Sequence, residues 1–221
     1  MTIEAKNLVK EYMRGSRKIE VLNSVSFTIS SGEFIGITGR SGSGKSTLIN
    51  IIAGLIKPTR GSVLLDGEDI FTLSDEKLSL YRNAKICCVP QGQSVLSNLN
   101  VLDNVRLPSY LSKRDGDNSE EAYELLKLFQ IEKLAESMPK CLSGGELKRV
   151  AIARAMMNKP DFLLVDEPTG ELDADTAKMI MNIFRNLADN GASVLMITHE
   201  PDSVEYVDML YLMSNGVLTQ S

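Results

Sequence analysis

Four short apolar runs stand out along the chain: residues 34–38 (FIGIT), 86–89 (ICCV), 162–165 (FLLV) and 193–198 (SVLMIT). Each is almost free of polar positions, the pattern of a strand buried on both faces of a parallel sheet. Helix-forming stretches at 45–55 and 174–189 follow two of these runs, and the alternation of strand and helix predicts an α/β architecture. In two further segments, EVLNSVSFTISSGE and GSVLLDGEDI, apolar and polar residues partly alternate beside turn formers. Those predict antiparallel strands lying over one edge of the core.

The pattern changes between about 104 and 157, where most positions favour helix. Within it NSEEAYELLKLFQ offers Asn118 as an N-cap, with Glu121 three residues on approximating a capping box. The expected organisation is one domain over 1–221. Its core comprises 1–90 and 158–221, and a helical lobe over 91–157 is inserted and hinged to it. No repeat, low-complexity tract or charge block interrupts this frame.

Composition narrows the function. With 221 residues, 43% of them apolar, the chain is long enough for a substantial core. A formal charge of -5 argues against a protein built to grip nucleic acid, which needs a concentrated basic face. The apolar runs fall far short of the roughly 20 residues that span a bilayer, and the start MTIEAKNLVKEY has no secretory apolar stretch. Cys87, Cys88 and Cys141 are odd in number, two of them adjacent, which predicts free thiols in a reducing, cytoplasmic setting.

The chemistry lies in the punctuation. Gly39, Arg40, Ser41, Gly42, Ser43, Gly44, Lys45 and Ser46, followed by Thr47, fit G-x-x-x-x-G-K-[ST] between a predicted strand and a predicted helix. In that setting backbone amides curl around phosphates, the helix start adds partial positive charge, Lys45 reaches the terminal phosphates and Ser46 ligates Mg2+. FLLVDEP supplies the second metal anchor, Asp166, and one residue further Glu167, placed to polarise a water attacking the γ-phosphate. The single histidine, His199, ends another predicted parallel strand on the same sheet edge, where it could contact the γ-phosphate or that water.

Taken with LSGGE at 142–146 leading into LKRVAIARAMM, and with PTGELD after the acidic pair, the chain resembles the nucleotide-binding subunit of an ATP-binding cassette (ABC) transporter. The likeness runs nearly end to end. It implies a P-loop NTPase core of RecA type with an antiparallel β subdomain and an inserted helical lobe, ATP and Mg2+ as cofactors, and ATP hydrolysis as the activity. It further implies that Tyr12 stacks on adenine, that Gln91 is the hinge glutamine sensing Mg2+ and the membrane partner, and that Asp173 lies in the loop crossing between two sites. Counting forward to Asp103-Asn104-Val105 favours Gln91 over nearby Gln93.

In this family two chains pair head to tail, and Ser143, Gly144 and Gly145 of one close over the γ-phosphate held by the other. The branch resembled contains lipoprotein-release, macrolide-export and FtsE-like cell-division ATPases. The implied partner is a separately encoded transmembrane permease, and the implied place is the cytoplasmic membrane face. The expected transport is export or extraction of a peptide, lipid, lipoprotein or drug; the alternative is an FtsE-like ATPase that signals across the membrane without moving a substrate. Glu171 stands where that branch more often has Asn, and Pro90 and Gln93 replace its common aromatics.

Overall fold

The computed structural model describes all residues except Gln93, Lys113, Asp115 and Glu171. Its strands are β1 (Thr2–Arg14), β2 (Arg17–Ser30), β3 (Phe34–Thr38), β4 (Arg60–Leu65), β5 (Glu68–Asp69), β6 (Ile86–Val89), β7 (Phe162–Asp166), β8 (Ser193–Ile197), β9 (Met209–Ser214) and β10 (Val217–Gln220). The helices are α1 (Lys45–Ile52), α2 (Asp75–Ala84), α3 (Val101–Leu111), α4 (Ser119–Leu128), α5 (Gly144–Met156) and α6 (Ala174–Asp189). One antiparallel sheet runs β2-β1-β4-β5, and a larger sheet runs β10-β9-β3-β8-β7-β6.

In the larger sheet every neighbouring pair is parallel except β10 with β9. Side chains alternate strictly across it. Leu163 and Val165 face one core with Val89, Val194 and Met196, against α5 and α6. Phe162 and Leu164 face a second core with Ile35, Ile37 and Ile197, beneath α1 and the antiparallel sheet. Burial on both sides is the physical reason these runs are almost purely apolar. The same alternation separates Cys87 from Cys88, which pack against opposite cores as free thiols. Burial pushes them up to about 11 and about 12 respectively.

Register fixes where the strands end. Ile37 pairs with Ile197 and Ile197 with Asp166, so β3, β8 and β7 reach the same sheet edge together. Parallel strands release their following loops on one side, and a cleft forms there. α6 buries Ile180, Met181, Ile183, Phe184 and Ala188, a helical spacing that presents one apolar stripe to the sheet. Phe184 meets Phe34 edge to face at 6.3 Å, worth about 0.5–1.5 kcal/mol beyond its area.

The segment between β6 and β7 is helical as expected, and its entry is pinned by Asn104. That fully buried amide accepts from Leu96 N and donates to the carbonyls of Leu96, Leu99 and Asn100. Two local expectations need correction. The helix predicted over 45–55 stops at Ile52, because the chain turns through Gly54 at φ 67°. Asn118 precedes α4 without capping it; its side chain donates to Gly116 O, and Asp117 accepts from Ser119 N instead. Glu121 pairs with Arg114 and Lys159, so there is no capping box at α4.

Candidate active site

The phosphate-loop sequence forms a tight turn between β3 and α1. Gly39, Gly42 and Gly44 have φ of 145°, 76° and 108°, values a side chain strains against. A Cβ on Gly39 would lie 2.1 Å from Met213 O, so only glycine fits there. Helix α1 starts without a side-chain cap and without an acid in its first turn. Its leading amides are therefore available to an anion. Ser43 Oγ is buried and has no partner, a hydroxyl suited to a phosphate oxygen.

Lys45 is only 6% exposed, and its ammonium donates to the carbonyls of Gly39 (2.7 Å) and Arg40 (3.0 Å). Burial lowers its pKa, while Glu167 and Asp166 oppose that shift. The cation is thus held inside the loop by weak neutral acceptors that a phosphate can outcompete. Asp166 ends β7 and is 4% exposed; burial raises its carboxyl above the usual range, and the Ser46 hydroxyl hydrogen-bonds it.

Glu167 carries the least ordinary backbone of the site, a left-handed φ of 52° on a non-glycine residue. Its amide donates to Ile197 O at 3.0 Å, tying the strained turn to β8. Its carboxylate is shared between two other loops. Oε2 accepts from Gln91 Nε2 at 2.7 Å, and Oε1 lies 3.1 Å from Nε2 of His199. The loops after β6, β7 and β8 therefore converge on one carboxylate.

The sequence LSGGE opens a separate helix, α5. Ser143 caps α5, its Oγ accepting from Glu146 N at 3.3 Å, while Glu146 Oε2 accepts from Ser143 N (2.7 Å) and Ser143 Oγ (2.8 Å). Those bonds hold the Glu146 carboxyl below its usual range. Ser143, Gly144 and Gly145 line a cavity of about 330 Å³ together with Leu172 and Asp173. A neighbouring cavity of about 240 Å³ joins Gly144 and Lys148 to Gln91 and Glu167.

A phosphate loop after β3 and an acid pair at the end of buried β7, two strands away, thus meet at one sheet edge, with a second glycine-opened helix beside the acid pair. Residues 22–170 match the family described as ABC transporter. The chain belongs to that family. The ATP-binding protein LolD of the lipoprotein-releasing system of Buchnera aphidicola subsp. Schizaphis graminum is 40% identical, covering 96% of this chain and 93% of its own length. The macrolide export ATP-binding/permease protein MacB of Chlorobaculum tepidum is 39% identical over 98% of this chain, which spans 33% of that longer protein. Among solved structures, the dimeric post-hydrolysis state of the ATP-binding cassette MJ0796 with ADP and Pi superposes with a TM-score of 0.93 at 35% identity, covering 99% and 97% of the two chains. MJ0796 is a protein of Methanocaldococcus jannaschii.

The protein is accordingly an ABC ATPase with a P-loop NTPase fold. Of the expected site residues, Gly39 to Thr47, Asp166, Glu167, His199 and Gln91 meet at the sheet edge. Ser143, Gly144, Gly145 and Asp173 gather in the cavity of about 330 Å³. Asp173 has a local task as well, capping α6 by accepting from Thr176 N and Thr176 Oγ1. Tyr12 lies at the far end of β1 opposite Ile19, with the Lys10 ammonium 5.1 Å from its ring centre. Gln93 and Glu171 lie outside the described residues.

Two features of the cassette escaped sequence reasoning. The capping box at α5 was legible as S-x-x-E within LSGGE itself. The hairpin packed against the phosphate loop was signalled by Asn215-Gly216, the commonest pair for a two-residue turn.

Proposed function

We propose that this cassette hydrolyses Mg2+-ATP within a head-to-tail dimer and so drives a separately encoded membrane permease, in export or extraction from the membrane. The observation that carries the catalytic part is Glu167, fixed by Gln91 and His199 beside the phosphate loop. The uncapped start of α1 and the orphan Ser43 hydroxyl suit the β- and γ-phosphates. Lys45 exchanges its two carbonyl partners for phosphate oxygens, a change from neutral to charged acceptors that favours the bound state.

Among the described residues no group of three or more His, Cys, Asp or Glu is placed to hold a metal. Mg2+ prefers oxygen ligands and keeps substrate phosphates among them, so the Ser46 hydroxyl, Asp166 and the Gln91 amide suffice. When bound, it neutralises developing charge on the phosphates. Glu167 accepts the proton of the attacking water, and His199 holds the Glu167 carboxylate in line. Tyr12 supports adenine once Lys10 yields one ring face.

LSGGE of the partner chain completes each site. A backbone amide array at a helix start is a ready anion grip, and the γ-phosphate is the group both chains share. Cleavage removes the shared group and loosens the pair, which is the movement delivered to the permease. Among the described residues no helix is long and apolar enough to cross a membrane, so the spanning part is assigned to the permease. Similarity to LolD and MacB favours a lipoprotein, lipid, peptide or drug as cargo.

The test is the solution mass of Glu167→Gln by light scattering, with and without ATP. The expected result is a monomer alone and a dimer with ATP. A protein that binds ATP yet stays monomeric, both alone and with its permease, removes the head-to-tail mechanism.

A further inference from the structure

The hairpin of β9 and β10 packs against the phosphate loop. Its two-residue turn has φ of 48° at Asn215 and 79° at Gly216, both positive as a type I′ turn requires. The turn is bonded in two directions. Gly216 N donates to Ser43 O at 3.1 Å, and Gly216 O accepts from Asn23 N of β2 at 2.8 Å. The fully buried Met213 completes the contact, since positions where Cβ atoms would stand on Gly39 and Gly44 lie 2.1 Å from Met213 O and 3.2 Å from Met213 Cε.

These contacts hold the loop at Gly39 and at Ser43–Gly44. Arg40, Ser41 and Gly42 lie between them, on an open cleft of about 420 Å³ that Ser43 and residues 212–215 also border. The middle of the loop is left room to settle on its ligand, while both ends are gripped. A loop with three glycines at positive φ has much conformational freedom to lose on binding. Support that removes this freedom in advance improves affinity without touching the ligand.

We propose that Met213 and Gly216 are positioning residues for ATP, and that the β9–β10 hairpin clamps the phosphate loop in its binding shape. The inference rests on the assignment of residues 39–47 as the ATP site. It is distinct from that assignment, because neither residue belongs to the nucleotide motif.

The decisive comparison uses two turns of the same kind. Asp66-Gly67, joining β4 to β5, has φ of 48° and 88°, and a Cβ on Gly67 would meet nothing within 4 Å. On Gly216 the added Cβ lies 2.7 Å from Val21 O, so the Gly216 backbone that donates to Ser43 O, or the β2 backbone beside it, must shift. Gly67→Ala therefore reports turn strain alone, and Gly216→Ala reports strain plus loss of the clamp. Titration calorimetry with MgATP and steady-state hydrolysis are run on both variants and on the parent protein. Gly216→Ala is expected to raise Kd and KM for ATP roughly tenfold with kcat nearly unchanged, the signature of lost ground-state positioning. Gly67→Ala is expected to lose thermal stability through the turn strain and keep both constants.

If Gly216→Ala does not fold, Met213→Leu decides the matter, since this near-isosteric change keeps the core but withdraws the methyl from Gly44. A raised KM at constant kcat is again expected. Kd and KM equal to the parent in every folded variant of the hairpin overturn the clamp. Failure of the parent to bind MgATP would instead overturn the nucleotide site itself.

Discussion

Gln91 Nε2 donates a 2.7 Å hydrogen bond to Glu167 Oε2, joining residues 76 positions apart in sequence. The donor follows β6 and the acceptor follows β7, so adjacent parallel strands bring Gln91 onto the carboxylate proposed as base. A carboxylate that accepts an amide proton on one oxygen and faces His199 with the other has its orientation set before substrate arrives. For Glu167→Gln the expected outcome is retained ATP binding with hydrolysis lower by about 10²–10⁴, the usual worth of a general base, measured as phosphate release. Turnover at the parent rate would mean that another group activates the water.

His199 is the only histidine of the chain, and its Nε2 stands 3.1 Å from Glu167 Oε1. Removing it leaves Glu167 held on one side only. His199→Ala is expected to lower kcat by roughly 10²-fold, within the range for one positioned polar group, while calorimetric ATP affinity changes much less. An equal loss in affinity and in kcat would instead place His199 in ground-state binding.

Asp166 supplies a prediction with opposite signs for stability and activity. Its carboxyl is raised above the unfolded value chiefly by burial. A carboxyl shifted upward stabilises the fold below its unfolded pKa, and that contribution is lost as pH rises through the folded value. At neutral pH the ionised side chain therefore costs stability in the nucleotide-free protein. Asp166→Asn should raise the melting temperature of the ligand-free chain and abolish Mg2+-dependent hydrolysis, a trade typical of active-site charges. A lower melting temperature would show that the interaction with Lys45 outweighs the burial cost.

Glu146 closes the capping box of α5 with an acid at the helix start where the partner's γ-phosphate is proposed to dock. Glutamine also completes a capping box, so Glu146→Gln is expected to keep α5 formed while losing the share of stability that the charge contributes. Removing one negative charge from that helix start should strengthen ATP-driven pairing several-fold in the Glu167→Gln background, by about the 0.3–1 kcal/mol such charges are worth. Sedimentation at graded ATP measures it, and unchanged pairing would mean that Glu146 stands clear of the phosphate.

A clear pH dependence follows for the same residue. Ser143 holds the Glu146 carboxyl below its usual range through its amide first and its hydroxyl second. The sign is that of a lowered acid: the stabilisation is present above the unfolded pKa and fades as pH falls through the folded value. Thermal stability of the parent should therefore decline on acidification more than that of Glu146→Gln. Parallel acid limbs in the two proteins would show that the bond contributes nothing measurable.

Most of the fold was readable where one physical demand acts on a whole segment. The strands at 34–38, 86–89, 162–166 and 193–197 are enclosed on both faces, so burial alone dictates an apolar run. β1 went unread because its alternation is broken: register shifts occur after Ala5, Leu8 and Lys10, and Asn7 turns to φ 48°. β9 and β10 went unread for another reason, since Leu212 and Val217 stay exposed and blur the pattern of an edge hairpin.

The sequence by itself determined the phosphate loop, the acid pair and the glycine-opened helix, because each is a local backbone requirement met by neighbouring residues. Three glycines, a lysine and a serine at fixed spacing suffice to shape a turn before a helix, wherever that turn is placed. Only the tertiary structure decided that Gln91, Glu167 and His199 share one carboxylate, since that depends on the register of three parallel strands. It also placed Met213 and Gly216 against a loop some 170 residues earlier, through the pairing of β9 with β3. Contacts between distant segments are set by how sheets stack and where strands end, and no local pattern of side chains encodes those distances.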